Sequence, residues 1–343
     1  MNKQLNIPNY IIVLGTTYSG SGAIYDYLTG RGDLYDPLKG TEYQLPQMPN
    51  GLMALEATAK KAFHPATADF VLAQFIDITN KLARSRAPWR YGKDYASLIP
   101  TFQKAIGEFI EEVSAAKLPM NWHWRRLMRV ESPITHIIDK LKNRIGFNEG
   151  PPQTRLLVSE EDLLSAAQTL HNKIFKSDSE SRPVLLNQAG SGWNPIESTK
   201  YFSNRKVIVV TRDPRDQFLE IKQYKKASSV EEFIDWYKEM QRRLEKINNS
   251  DLLFIQFEDF VNNNVKIVDT LCNHLSLSSG VNSSYQPDLS KKNIGKYQKF
   301  LSQKEIDIIE SRNKPTWLPP KPFLNIGVKT RLVYERLRSW SDI

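Results

Sequence analysis

Ile11-Ile12-Val13-Leu14-Gly15-Thr16-Thr17-Tyr18-Ser19-Gly20-Ser21-Gly22-Ala23-Ile24-Tyr25-Asp26-Tyr27-Leu28 is the stretch around which the chain is organised. Four branched apolar residues predict a short, buried parallel strand. A Gly/Ser/Thr turn follows, and from Ala23 to Leu28 the apolar residues return at helical spacing. A strand, a tight loop and a helix N-terminus aim several backbone N–H groups and the positive end of the helix dipole at one spot, which stabilises an anion such as a phosphate there. Small residues let the backbone approach that anion, and the hydroxyls of Thr16, Thr17, Ser19 and Ser21 add donors. The turn lacks the lysine of G-x-x-x-x-G-K-[ST], because Gly20 and Gly22 are followed by Ala23 and Ile24, and this disfavours ATP or GTP hydrolysis. The same turn also suits an α/β protein with no ligand at this place.

Around this stretch the composition sets bounds. The 343 residues are 40% hydrophobic and 25% charged, the proportions of a soluble globular protein with a sizeable core. No apolar run approaches the roughly 20 residues that cross a bilayer, and the polar start with its short apolar run does not read as a secretory signal. The single cysteine, Cys272, rules out an internal disulfide and a multi-cysteine metal site, so a cytoplasmic location is expected, with the inner face of the membrane as one place within it. A formal charge of +9, from 47 Lys and Arg against 38 Asp and Glu, fits an anionic partner or simply a basic surface. Because the basic residues are spread rather than packed in runs, no specific nucleic-acid binding is expected, while an anionic ligand in a cleft remains open.

Further along, Gly40-Thr41-Glu42-Tyr43-Gln44-Leu45 reads as a second strand or its end, and Pro46 and Pro49 break regular structure. From Leu52 to about Ile145 the pattern is mainly helical, which predicts a helical insertion on an α/β core. Two clusters in it, Trp89-Arg90-Tyr91 with Lys93, and Trp122-His123-Trp124-Arg125-Arg126 with Arg129, pair aromatic faces with cations as sugar and anion sites do; helix packing with snorkelling arginines would use the same residues. Ser159 as a cap predicts a helix over Glu160–Phe175. Pro183 to Gln188 reads as a strand ending in the amides Asn187 and Gln188, at the sheet edge where ligands bind in α/β folds. Lys206 to Val210 is the clearest buried strand and runs into Thr211-Arg212-Asp213-Pro214-Arg215-Asp216. Helices are predicted from Asp216 towards Tyr224, from Val230 to Ile247, from Val261 to Leu275 and from Ser302 to Arg312, with a strand at Leu252 to Phe257 and a loop from Ser276 to Ser290.

Arg212, directly after a buried strand, projects from the carboxyl edge that also carries the Gly15–Gly22 turn. A bidentate contact from it to phosphate is worth roughly 1.5–3 kcal/mol; an ion pair with Asp216 is the other reading. Two anion sites on one edge suit a ligand with phosphates at two separated places. With the basic loop Lys291-Lys292-Asn293-Ile294-Gly295-Lys296-Tyr297 they form a set that resembles the sulfotransferase superfamily, whose donor is 3′-phosphoadenosine 5′-phosphosulfate. Gly15 to Leu28 resembles its 5′-phosphosulfate loop and Val207 to Tyr224 its 3′-phosphate segment, R-[ND]-P-x-D. Phe257-Glu258-Asp259-Phe260 is similar to its Y-E-D-L step, and Ser290 to Phe300 to its R-K-G-x-x-G-x-W loop. More loosely, Asn187-Gln188-Ala189 to Phe202, Phe233 to Tyr237, and Glu42-Tyr43 with Pro49 to Leu52 resemble bacterial members that act on surface polysaccharides.

The resemblance implies a P-loop-like, three-layer α/β fold with a central parallel sheet. It implies one domain over residues 1–343, with the insertion at about 52–145 over the acceptor cleft. It assigns donor contacts to Thr17, Tyr18, Ser19, Gly20, Ser21, Gly22, Ala23, Arg212, Glu220, Ser290, Lys291, Lys292, Gly295 and Tyr297. Acceptor contacts fall to Asn187 and Gln188 from the looser resemblance, and to Trp122 and Arg125 from the aromatic and basic cluster of the insertion, which the motifs do not cover. The acceptor would be a carbohydrate or lipid-linked glycan, with no transmembrane segment but peripheral membrane contact left open. Three positions depart from the pattern. Tyr18 stands where the family carries a cation, Glu220 stands eight positions after Arg212 where a serine is common, and Ser290 replaces the first basic residue of the last loop.

Sulfuryl transfer needs positioning, charge stabilisation at the leaving oxygen and a base on the acceptor hydroxyl. Glu42, 24 positions after Tyr18 and near a strand end, is the candidate base, because the resemblance to the family's glycosaminoglycan branch implies a base glutamate at a similar place. A surface or cap carboxylate is the other reading, and His123 is the alternative base. Lys296, or Lys292, is the candidate for the cation that Tyr18 cannot supply. No cluster of histidines and carboxylates has metal-ligand spacing, and this chemistry needs no metal. Two rivals stay open: a small-molecule or nucleotide kinase, and a nucleotide-binding relative without catalysis.

Overall fold

The computed structural model describes residues 9–61, 63–87, 91–119, 153–175, 182–227, 229–262 and 264–312. In chain order the strands are β1 (Tyr10–Gly15), β2 (Ser114–Pro119), β3 (Gln153–Leu157), β4 (Val184–Asn187), β5 (Arg205–Thr211) and β6 (Leu252–Gln256). The central sheet has the order β4-β1-β5-β6, all parallel. Val13 is registered with Asn187 on one side and Ile208 on the other, so β1 lies in the middle and its carboxyl end, Gly15, is flanked by both neighbours. The strands read as almost unbroken apolar runs because both faces are covered. Tyr10, Ile12 and Leu14 face one cluster with Leu186, Val207 and Val209; Ile11 and Val13 face another with Leu185, Ile208 and Val210.

The helices are α1 (Ser21–Gly30), α2 (Leu52–Lys60), α3 (Pro65–Ala83), α4 (Tyr95–Leu98), α5 (Phe102–Glu112), α6 (Glu160–Phe175), α7 (Pro195–Thr199), α8 (Pro214–Gln223), α9 (Val230–Leu244), α10 (Phe257–Asn262), α11 (Asn264–Leu275), α12 (Pro287–Lys291), α13 (Tyr297–Phe300) and α14 (Gln303–Arg312). Buried side chains of α2, α3, α5 and α6, among them Leu55, Phe75, Phe109 and Leu170, share the first cluster with the sheet. Those of α1, α10 and α11, such as Ile24, Phe260 and Leu271, share the second. Each such fully buried side chain contributes about 1.5–3 kcal/mol from the apolar surface it removes from water. The result is the expected three-layer α/β arrangement around a parallel sheet. A third cluster, from α8 and α9 with Tyr297, Leu301 and Ile309, stands beside the sheet's carboxyl edge.

Several local expectations need correction. The predicted helical span breaks after Glu112: β2 pairs antiparallel with β3, a ribbon whose Ser114–Pro119 strand is largely exposed and so carries no hydrophobic run to betray it. The rest of the predicted insertion, past Pro119, lies outside the described residues. At 41–45 there is no full strand, only an isolated parallel bridge from Glu42 to Asn187. The predicted helix from Val261 to Leu275 is instead α10 and α11, and α12 interrupts the predicted loop from Ser276 to Ser290. α6 begins and ends where the sequence places it, with the Ser159 hydroxyl accepting from the Asp162 N–H at 3.2 Å.

Candidate active site

The turn after β1 departs from ordinary backbone. Thr17 and Tyr18 hold φ values of +71° and +51°, and Gly20 holds +79°. A Cβ on Gly20 would stand 2.4 Å from the Phe257 ring, so glycine is required there by both conformation and space. Gly192 closes the other flank, since a Cβ on it would meet the Gly15 carbonyl oxygen at 2.3 Å. Within the turn the Ser19 hydroxyl accepts from the Thr16 N–H at 3.1 Å, and the Ala23 N–H donates to the Gly20 carbonyl. The N–H groups of Ser19, Gly20, Ser21 and Gly22 make no hydrogen bond to any described residue. Four donors at a helix start, with a left-handed backbone beneath them, are an anion cradle.

Two amides hold this turn, one just after β4 and one on α8. Gln188 accepts from the Gly15 N–H at 3.1 Å and donates to the Ser21 hydroxyl at 2.9 Å. Gln217, on the first turns of α8, donates to the carbonyls of Thr16, at 2.7 Å, and Thr17. Asn187 donates to the Gly40 carbonyl at 3.1 Å. Around the mesh lie buried polar atoms with no partner among the described residues: Thr16 Oγ1, Thr211 Oγ1, Arg212 Nε, Gln217 Oε1 and Glu258 Oε2, five of the nine such atoms found. Leaving one buried polar group unsatisfied costs about 1–3 kcal/mol, so five at one edge mark a place built for polar company.

Arg212 reaches the turn, as its place after β5 predicts. Its Nη1 donates to the Tyr18 carbonyl at 3.1 Å and its Nη2 to the Asn293 carbonyl at 2.6 Å, with the guanidinium over the Phe257 ring. The ion partner is Glu220, at 3.7 Å, and not Asp216 as the alternative reading has it. Asp216 instead accepts from the N–H groups of Gly295, at 2.7 Å, and Tyr297, at 3.0 Å, and so ties the 293–297 segment over α8. Burial pushes the carboxyls of Asp216 and Glu258 above their ordinary range, although backbone N–H donors pull the other way. Tyr297 lies under the Arg215 guanidinium, 4.2 Å from its ring centre. Ser290 and Lys291 close α12, Lys291 is paired with Asp288 at 2.8 Å, Lys292 is exposed and Lys296 half-buried.

Glu42 stands beside the same edge. Its bridge to Asn187 sets it next to the last residue of β4. The half-exposed carboxylate accepts from Gln44 at 2.9 Å and has Lys93 at 3.6 Å. Tyr43 after it is fully buried, and its hydroxyl meets His171 Nε2 at 3.1 Å. Because His171 Nδ1 faces the Tyr201 carbonyl at 2.9 Å and must donate to it, Nε2 accepts from Tyr43, and burial lowers the imidazole to about 4. The core thus holds the segment that presents Glu42.

A nucleotide with anionic groups at both ends fits these residues in two different ways. An anion on the N–H groups of Ser19 to Gly22, which have no partner among the described residues, would need no rearrangement. At Arg212 the buried Nε has no partner among the described residues, but a phosphate there would have to displace the Asn293 carbonyl and face Glu220. His123, Trp122, Arg125, Trp89 and Arg90 lie outside the described residues. Among the described residues no group of three or more His, Cys, Asp or Glu could hold a metal ion, and no helix is long and apolar enough to cross a membrane. Sequence reasoning missed Gln217 and Gly192, whose partners come from segments far away in the chain; the only local signal was the place of Gln217 on the helix that follows Arg212.

No family model and no curated protein matches the chain. It is similar to two solved structures at 13% identity. One is the sulfotransferase domain from the olefin synthase of Synechococcus PCC 7002, with a TM-score of 0.42 over 89% of this chain and 94% of that one. The other is the sulfotransferase domain from the curacin biosynthetic pathway, with a TM-score of 0.37 over 97% and 98%. A likeness at this level assigns no activity.

Proposed function

We propose that the chain is a sulfotransferase that moves a sulfuryl group from 3′-phosphoadenosine 5′-phosphosulfate to a hydroxyl of a carbohydrate acceptor, free or lipid-linked. The observation that carries this reading is the pairing of four free N–H groups at the start of α1 with unpartnered buried polar atoms, Arg212 Nε among them, on one sheet edge. The donor supplies an activated sulfuryl group whose bond to phosphate breaks. The N–H groups of Ser19 to Gly22 hold its 5′ end, Arg212 takes the 3′-phosphate, and the 293–297 segment with Gly295 covers the nucleotide. Glu42 accepts the proton of the attacking hydroxyl. Since the loop has Tyr18 and no cation, charge at the leaving oxygen falls to a lysine from outside it, and Lys296 and Lys292 are the two that the sequence offers.

A sugar acceptor is supported by aromatic and basic side chains that follow Gly192, the residue packed on the Gly15 carbonyl. Trp193, next to Gly192, packs edge-on against Trp236 with ring centres 5.0 Å apart. Trp193, Asn194, Arg242, Arg243 and Lys246 line a cavity of about 310 Å³ there. Sugar faces stack on such rings.

One observation favours a second reading, nucleotide binding without transfer: both terminal nitrogens of Arg212 are committed to protein carbonyls. Incubation with sulfur-labelled donor and a panel of glycans separates the two. Label on a glycan that depends on Glu42 supports transfer; bisphosphate binding with no labelled product supports the second reading. Magnesium-dependent ATP turnover would instead place the chain among kinases.

A further inference from the structure

A cation from another part of the chain stands against Tyr18, the residue where the loop has none. Tyr18 turns its ring onto Tyr224, with centres 5.0 Å apart and planes within 10° of parallel. Lys226, two residues beyond Tyr224, sets its Nζ 5.0 Å from the centre of the Tyr18 ring. The backbone just after α8 fixes this placement: the Tyr224 N–H donates to the Glu220 carbonyl, Lys225 holds a φ of +53°, and the Lys226 N–H donates to the Ile221 carbonyl at 3.0 Å. Lys222, Lys225, Lys226, Ala227 and Glu232 line an open cavity of about 480 Å³. Of its lysines, Lys222 is spent on Glu305 at 2.6 Å, whereas no described carboxylate lies within ion-pair reach of Lys225 or Lys226.

We propose that Lys226 is the catalytic cation of this site, delivered from the end of α8 by the Tyr18 and Tyr224 pair to the place where the loop itself has none. This rests on the sulfuryl-transfer reading. In the step, the acceptor oxygen forms its bond to sulfur and gives its proton to Glu42. The bond from sulfur to the bridging oxygen breaks, and its electron pair stays on the 5′-phosphate. The Lys226 ammonium donates a hydrogen bond to that oxygen as charge gathers there, and keeps its own protons. An exposed contact over an aromatic face is weak beside a charge-assisted hydrogen bond, so the ammonium leaves the ring for the anion. Lys296 is the less well placed of the candidates, because the N–H groups on either side of it are held by Asp216, on the Arg212 side of the site.

The test compares Lys226→Met, Lys226→Arg, Lys296→Ala and the neighbouring control Lys225→Met at saturating donor and acceptor. Affinity for adenosine 3′,5′-bisphosphate is measured on each. Lys226→Met is expected to lose about a hundredfold or more in turnover, as removal of a donor at a developing oxyanion does, while bisphosphate affinity changes less than threefold. Ethylammonium in the buffer is expected to restore part of that rate, Lys226→Arg to retain most of it, and Lys225→Met to match the unaltered chain. Turnover of Lys226→Met within threefold of the unaltered chain overturns the proposal, as does a larger loss in Lys296→Ala. A Lys226→Arg variant as slow as Lys226→Met with no amine rescue overturns it too. These results leave the sulfotransferase reading standing, whereas an unaltered chain that labels no acceptor removes both.

Discussion

Two buried polar regions of this molecule, one packed under helices and one at the carboxyl edge of the sheet, are built in opposite ways. Under α2 and α6 every polar group in the chain of contacts is paired: Tyr43 donates to His171, His171 to the Tyr201 carbonyl, Tyr201 to Glu56, and Glu56 meets Lys200, which also holds Glu197 at 2.8 Å. At the carboxyl edge, Thr16, Thr211, Arg212, Gln217 and Glu258 each keep a buried atom without a partner among the described residues. The first arrangement is what folding alone selects, because an unsatisfied group is costly and a closed network is rigid. The second is a departure that folding does not reward, and it coincides with three left-handed residues, Thr17, Tyr18 and Gly20. Strain and unmet polar demand in one place are what a binding site looks like before its ligand is considered.

The contrast can be broken from either side. Glu42→Gln is expected to lower transfer by about 10²–10⁴-fold with bisphosphate affinity unchanged, and a near-normal rate by labelled-donor assay would remove Glu42 as the base. His171 probes the closed region. Its unfolded form takes a proton below about 6.5 and its folded form only near 4, so stability should fall as the pH drops through that window, by roughly 3 kcal/mol in total. The raised carboxyls of Asp216 and Glu258 act with the opposite sign there, and His274, which burial also lowers to about 4, with the same sign. His171→Gln, which keeps a donor and an acceptor, should therefore reduce the slope seen by denaturant unfolding without abolishing it. Arg212→Ala should weaken adenosine 3′,5′-bisphosphate about tenfold to a hundredfold and adenosine 5′-phosphosulfate little, as read by calorimetry. Ser302→Ala lies in neither region and removes the cap on α14, where the Ser302 hydroxyl and Glu305 bond reciprocally. It should cost about 1 kcal/mol of stability and leave nucleotide affinity as it was.

What the sequence shows and hides follows the same division. β1 and β5 are legible because strands covered on both faces must be apolar at nearly every position, and α6 because Ser159 signals its start. The turn at Gly15–Gly22 and Arg212 after β5 are legible as a pair because parallel neighbours put their carboxyl ends on one edge. The ribbon of β2 and β3 is not, since the largely exposed β2 carries no apolar run. Nor is the bridge of Glu42 to Asn187, the clamp of Gln217 on the turn or the seat of Lys226 on Tyr18: each is a contact between segments more than a hundred residues apart, and no periodicity encodes it. Glu220 is an intermediate case. Its charge is plain in the sequence, but only the fold shows that it stands 3.7 Å from Arg212.

A crystal structure of the chain with adenosine 3′,5′-bisphosphate tests the central claim most directly. The account predicts the 5′-phosphate on the N–H groups of Ser19 to Gly22, and the Arg212 guanidinium turned from the Asn293 carbonyl to the 3′-phosphate. A nucleotide bound away from Gly20, or a 3′-phosphate elsewhere while Arg212 still holds Tyr18 and Asn293, would contradict it.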